Sequence, residues 1–193
     1  MTTLIVAAHP DPESLTIHLA RRLEAALKDV EVADLAAESF DPRFMLADRE
    51  SYRSGGDFSA DVAAEQQRIE RATDLVLVFP VYWWSMPALL KGWIDRVFVN
   101  GWAFEPKPDG GMQRNLDWLR IHLVPIAGDD AGVYERHGYE QAIRTQIEHG
   151  LADYCGARRG ATVFVFESEQ DDAEVRDRDV ERVVTTIVEA TAR

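Results

Sequence analysis

Short, unbroken apolar runs alternate with stretches whose apolar residues recur at helical spacing. Leu4-Ile5-Val6-Ala7-Ala8 is a continuous run of the kind shown by central parallel strands, which are covered on both faces. Ser14 is placed to cap a helix reaching about Leu27, with Ile17, Leu19, Leu23, Ala26 and Leu27 as its apolar stripe. Val30–Leu35 reads as a second strand and residues 36–58 as a long polar connection. Ser59 opens a helix ending near Ala72, and Asp74–Phe79 is a third strand. Pro87 suits the first turn of the next helix, which continues through Phe98. Residues 100–118 read as irregular, Leu119–Ile126 as strand four and 127–132 as a loop. A helix over Tyr139–Tyr154, a fifth strand over Ala161–Phe166 and a last helix over Ala173–Ala192 complete the pattern.

Strand and helix alternate five times, with no repeat and no interdomain linker. The expectation is one α/β domain over residues 1–193, a doubly wound five-stranded parallel sheet with helices on both faces. A flavodoxin-like strand order, 2-1-3-4-5, places a ligand at the carboxyl ends of strands one and three, beside strand four. Three loops are then candidates: His9–Thr16, Pro80–Met86 and Ile126–Tyr134.

Composition narrows the partners. With 193 residues and 46% hydrophobic content the chain can fill a two-sided core, and 21 basic against 34 acidic residues give a net charge of -13. No basic stripe is present for nucleic acid. Residues Met1–Ala8 carry no basic leader, no segment reaches the length of a membrane span, and Cys155 is alone. These features lead to the expectation of a cytoplasmic protein without disulfides or membrane insertion. An anionic ligand must then be held by local amides against an unfavourable overall field.

The loop chemistry is uneven. His9-Pro10-Asp11-Pro12-Glu13-Ser14-Leu15-Thr16 leaves a strand and enters a helix, where free amides, the Ser14 and Thr16 hydroxyls and His9 would suit a phosphate. Plain helix capping by Ser14 is the competing reading. Ala8-His9-Pro10-Asp11 also resembles the start of the metal-binding motif of zinc-dependent N-deacetylases. Pro12 stands where a second acid would be needed, however, and no His-x-x-His pair follows, so no metal site is expected. In the second loop, Pro80-Val81-Tyr82-Trp83-Trp84 cannot point every ring inward, and a flat apolar wall at this edge suits a flavin.

Phe79–Gly92, continued by Trp93-Ile94-Asp95-Arg96-Val97-Phe98 and Gly101-Trp102-Ala103-Phe104, resembles the NAD(P)H:quinone oxidoreductase family, the DT-diaphorase-like flavoproteins. Asp61-Val62-Ala63-Ala64-Glu65-Gln66 and the His9…Ser14-x-Thr16 loop extend the resemblance over most of the chain. It implies a homodimer with bound FAD, or FMN as the alternative, passing hydride from NADPH or NADH to a quinone-type acceptor. It implies His9, Ser14, Leu15 and Thr16 on the phosphate side of the flavin, and Pro80, Val81, Tyr82, Trp83 and Trp84 along its ring. Ala127, Gly128 and Asp129 stand where the family has Thr-Gly-Gly; none is proline, so all three amides are expected to be free, while the Asp129 carboxylate would oppose negative charge on the flavin. Tyr134 occupies the family's tyrosine position. Glu140 replaces the family's histidine, leaving His137 as the nearest substitute. Trp93, Trp102 and Phe104 are the candidates for a dimer surface. Some relatives with this motif are ancillary subunits of potassium-efflux transporters, which gives a second expectation, a peripheral regulatory flavoprotein.

Overall fold

A computed structural model describes residues 2–170 and 172–192. The central sheet joins β1 (Thr3–Ala7), β2 (Val30–Asp34), β3 (Asp74–Pro80), β6 (Arg120–Ile126) and β7 (Arg158–Thr162). All are parallel, in the order β2-β1-β3-β6-β7. Counting only these five, the order is the expected 2-1-3-4-5. The numbering shifts because residues 100–118, expected to be irregular, contain an antiparallel hairpin of β4 (Phe104–Pro106) and β5 (Met112–Arg114).

Alternation along the strands divides the core in two. Leu4, Val6, Leu75, Leu77, Phe79 and Leu123 face α3 (Ala60–Glu70), α4 (Ala88–Val97), α5 (Ala131–His137) and α6 (Tyr139–Arg144). Ile5, Ala7, Val76, Val78, Val124 and Ile126 face α1 (Leu15–Ala26) and α7 (Ala173–Thr191). Helix α6 runs on into a π-helical stretch, Thr145–Asp153, within the span expected to be helical.

One helix and the start of one strand gave no apolar signal. Helix α2 (Leu46–Ser54) lies inside the connection read as structureless and carries one buried residue, Asp48. Its start is fixed by Asp48, whose carboxylate accepts the Met45 N–H at 2.7 Å, and its body by the buried Arg96–Asp48 pair at 3.1 Å. Strand β7 begins at Arg158, before the expected Ala161, because it is an edge strand with exposed arginines. Its ladder continues irregularly to Val165, which donates to Pro125 at 3.0 Å. The irregularity sits at His122. Its Nδ1 accepts the Ala161 N–H at 3.0 Å, so Nε2 carries the proton and donates to Asp74 at 3.0 Å. A Cβ on Gly160 would lie 2.5 Å from that ring, so glycine is required there.

The two sequence blocks that carry the resemblance form one clamp. Asp61 meets Arg96 at 2.7 Å, Glu65 accepts from the Trp93 indole at 2.8 Å, and Gln66 donates to the Val97 carbonyl at 3.1 Å. Gly92 completes it, because a Cβ there would lie 2.1 Å from the Pro42 carbonyl oxygen. These residues lock α3, α4 and the 36–58 connection together. Trp93 and Phe104 are consequently buried within the chain, and Trp102 is partly buried with its indole N–H on Glu70 at 2.8 Å. The large apolar side chains left exposed include Phe44, Met45, Leu46, Tyr52 and Tyr154 instead.

Candidate functional site

The carboxyl ends of β1, β3 and β6 converge on two adjoining cavities. One, of about 230 Å³, is lined by His9, Ser14, Leu15, Thr16, Pro80, Val81, Tyr82, Ile126, Gly128, Ser168 and Glu169. The other, of about 380 Å³, is lined by Val81, Tyr82, Trp83, Trp84, Gly128, Asp129, Tyr134 and Glu169. The three expected loops therefore meet. A fourth segment, 166–170 after β7, joins them; its Glu167 and Ser168 amides donate to Asp129 and Ala127 carbonyls at 3.1 and 3.0 Å.

The first loop is ordered by its own side chains. Asp11 N–H donates to His9 Nδ1 at 3.0 Å, and the Asp11 carboxylate accepts from Glu13 N–H at 2.9 Å. This sets the His9 tautomer with its proton on Nε2, which is left to donate elsewhere. Ser14 does cap α1, accepting from Ile17 N–H at 3.4 Å, a long bond that leaves its hydroxyl proton uncommitted. Capping and phosphate binding are thus compatible here. Among the described residues, the Leu15 and Thr16 amides, in the first turn of α1, have no backbone partner.

The second loop is a tight turn. Tyr82 N–H donates to Ser85 O at 3.0 Å and Ser85 N–H returns to Tyr82 O at 3.1 Å, with φ of +51° at Trp83 and +55° at Trp84. Positive φ at both central residues defines a type I′ turn, which ordinarily takes Asn-Gly. Two tryptophans there are strained. The turn leaves the Trp83 and Trp84 amides without backbone partners at the cavity edge. Trp84 is braced from behind, stacking on Tyr139 at 4.4 Å, and His137 stacks on Tyr139 at 5.2 Å. Trp83 is 87% exposed.

The third loop departs from expectation at Ala127. Its N–H donates to Val165 O at 2.7 Å and the residue is buried, so it lines neither cavity. Only the Gly128 and Asp129 amides remain free. Asp130 caps α5 through Val133 N–H at 3.0 Å, a helix in place of the expected loop. That helix turns the Tyr134 ring inward, to 2% exposure, against Phe164, Phe166 and Tyr139. Its hydroxyl makes no hydrogen bond among the described residues, and no buried side-chain polar atom is left unpaired. The hydroxyl therefore opens to the cavity. Burial, with the nearby Asp129 charge, pushes its pKa up to about 12.

His137 is the second departure. It lies at the exposed C-terminal end of α5 and lines neither cavity, with Tyr139 between it and Trp84. Tyr139, Ser168 and Glu169 were not anticipated. Aromatic spacing after Tyr134 was the available signal for Tyr139, whereas the segment after a polar edge strand offered none. Cys155 is buried, and burial raises its thiol to about 11, eased slightly by Arg114. No group of three or more His, Cys, Asp or Glu is placed to hold a metal among the described residues.

The family model described as flavodoxin-like fold matches residues 1–187. The chain belongs to that family. It is 30% identical over 193 residues to ribosyldihydronicotinamide dehydrogenase [quinone] of Pongo abelii, covering 86% of this chain and 81% of that one. It is 38% identical over 155 residues to the glutathione-regulated potassium-efflux system ancillary protein KefF of Enterobacter, covering 79% and 76%. The solved structure of general stress protein 14 from Treponema denticola in complex with FMN aligns with a TM-score of 0.70 at 28% identity, covering 98% of this chain and 99% of that one. The resemblance to NAD(P)H:quinone oxidoreductases read from residues 79–104 thus agrees with the flavodoxin-like family match over nearly the whole chain.

Proposed function

We propose that this protein is an NAD(P)H-dependent flavin oxidoreductase that passes two electrons to quinone-type acceptors. The observation that carries the reading is the strained Tyr82–Ser85 turn, which holds an exposed indole and two unpaired amides over a slot shared by the second and third loops and adjoining the slot of the first. The residues present fit a flavin. Unpaired amides of Leu15 and Thr16, with the His9 Nε2–H, suit the phosphate. Those of Trp83, Trp84, Gly128 and Asp129 suit the polar rim of the ring. When bound, a flavin supplies the hydride chemistry, while the protein binds, orients and excludes water.

In this reading the exposed Trp83 indole would lie against the bound flavin, with Trp84 bracing the turn through Tyr139, and the Tyr134 hydroxyl would donate a hydrogen bond to negative charge on it. Its raised pKa keeps it protonated throughout the neutral range. His137 has no part, since Tyr139 separates it from Trp84. FAD is favoured over FMN by a third cavity of about 340 Å³, which shares Leu15 and Ser168 with the phosphate slot. It adds His18 and Arg176, which would meet a second phosphate, beside the opposing carboxylates of Glu13 and Asp177. NADH and NADPH are both admitted as donors, and a cytoplasmic setting is in keeping with the lone thiol. No helix among the described residues is long and apolar enough to cross a membrane.

A homodimer is part of the same proposal. Tyr52, Phe104, Tyr154 and Met86 line a cavity of about 430 Å³ between α4 and the π-helical stretch, beside the exposed apolar side chains of α2. A second reading, an ancillary flavoprotein docked on a potassium-efflux transporter, is favoured only by the likeness to the Enterobacter protein. The deciding experiment is absorbance of the purified protein followed by chromatography of the released cofactor, with menadione reduction by NADH and NADPH measured beside it. A flavin band and fast turnover support the enzyme. Protein that takes up neither FAD nor FMN at saturation is not a flavoenzyme.

A further inference from the structure

We infer that the carboxylates of Asp129 and Glu169 form an electrostatic filter on the aromatic slot, admitting uncharged acceptors and disfavouring anionic ones. The inference rests on the oxidoreductase reading above and names the substrate class of that same site. Both acids line the 380 Å³ cavity, and both residues are exposed. Neither carboxylate makes an ion pair or a hydrogen bond to another described residue. Among the described residues, lysine and arginine are absent from the lining of both adjoining cavities, leaving His9 as the one group there able to carry positive charge. The loops bearing the two acids are tied by the bonds from Glu167 to Asp129 and from Ser168 to Ala127, so the charges are held at the slot. The chain's net charge of -13 adds to the field and does not oppose it.

The slot is small enough that an acceptor brought against a flavin held there lies within a Debye length of both carboxylates, about 10 Å at 0.1 M salt. Near a protein surface each such charge disfavours an anionic substituent roughly three- to tenfold. An uncharged quinone meets no such penalty.

The test compares 1,4-naphthoquinone with its 2-sulfonate on the flavin-loaded protein, by tryptophan-fluorescence titration for Kd and by steady-state kcat/KM. The uncharged quinone should be favoured at least about tenfold at low salt. The ratio should shrink to within about twofold at roughly 0.5 M salt, and likewise in the Asp129→Asn/Glu169→Gln variant. The salt arm needs no variant, so a poorly folded mutant does not rescue the idea. A parent ratio near one, or a ratio indifferent to both salt and substitution, overturns the filter. Flavin uptake is read separately by absorbance. Its failure overturns the oxidoreductase reading and the filter together, whereas equal affinity for the two quinones in loaded protein removes the filter alone.

Discussion

Replacing Trp83 separates the indole from the turn that presents it. The Trp83–Trp84 pair places two bulky residues in the left-handed region, at about 1–2 kcal/mol each. Trp84 recovers its share by stacking on Tyr139 at 4.4 Å. Trp83 does not: it is 87% exposed and meets only the edge of Trp84, at 5.6 Å, a contact of about 0.5–1.5 kcal/mol. Its burial must come from a ligand if the strain is to be repaid.

Trp83→Ala keeps the positive-φ penalty and deletes the ring, whereas Trp83→Gly deletes both. Glycine recovers about 1–2 kcal/mol of strain and gives back about 0.4–1 kcal/mol through the more flexible unfolded chain. The glycine variant should therefore exceed the alanine variant in stability by up to about 1.6 kcal/mol in urea denaturation. Flavin affinity should fall equally in the two, by about 1–2 kcal/mol, the scale of one aromatic stacking contact. That corresponds to roughly five- to thirtyfold in Kd, measured by quenching of flavin fluorescence on titration with apoprotein. If both variants bind flavin within twofold of the parent, the indole is not a ring wall. If glycine retains the affinity that alanine loses, the turn conformation and not the indole is what matters.

Three further outcomes follow from the geometry. Arg96→Leu strands the buried Asp48 carboxylate and should cost about 3–5 kcal/mol in chemical denaturation, because breaking a buried pair leaves an uncompensated charge; a loss below about 1 kcal/mol would contradict the clamp. Burial and the Asp129 charge hold the Tyr134 pKa at about 12, above its unfolded value of about 10, so the protein should lose stability as pH rises between these values; ultraviolet titration should show Asp129→Asn moving the phenol downward. Burial works against the Asp74 charge, yet hydrogen bonds from His122, Thr73 and Arg120 outweigh it and lower the pKa. The stability it gives is present above the unfolded carboxyl pKa, about 3.9, and is lost as pH falls through and below that range. Asp74→Asn should flatten that acid limb, which equilibrium unfolding between pH 5 and 2 will show.

What the sequence made legible was what burial writes into it. Strands β1, β3 and β6 are covered on both faces and appear as largely apolar runs, broken in β6 by the buried His122, so the sheet order and the three converging loops could be deduced. Helix α2 and the start of β7 were invisible because tertiary ion pairs and an edge position hold them. Asp48 acts through Arg96, which is 48 residues away in the chain, and Arg158 sits at a solvent-facing margin. Hydrophobic periodicity carries no trace of either. The misjudged Ala127 amide has a similar origin. Whether an amide is free depends on its neighbour in the sheet, here Val165, and not on its own residue type.

The most specific stretch of the sequence also proves to be divided in its work. From Leu90 to Phe98 it is scaffold: Gly92 makes room for Pro42, Trp93 and Arg96 bind the acids of α3, and Val97 receives Gln66. Among the described residues of this stretch, only Pro80–Trp84 reaches the two adjoining cavities of the candidate flavin site. The two halves are nonetheless coupled, because a strained turn persists only where its flanks are fixed. On one side Val81 donates to Ile126 at 2.8 Å, and on the other Pro87 leads into α4, held by the clamp. Loosening the clamp should therefore free the turn before it unfolds the sheet. In Arg96→Leu, flavin affinity should drop at urea concentrations where the far-ultraviolet circular dichroism is still that of folded protein. Coincident loss of the two signals would show that clamp and turn are independent.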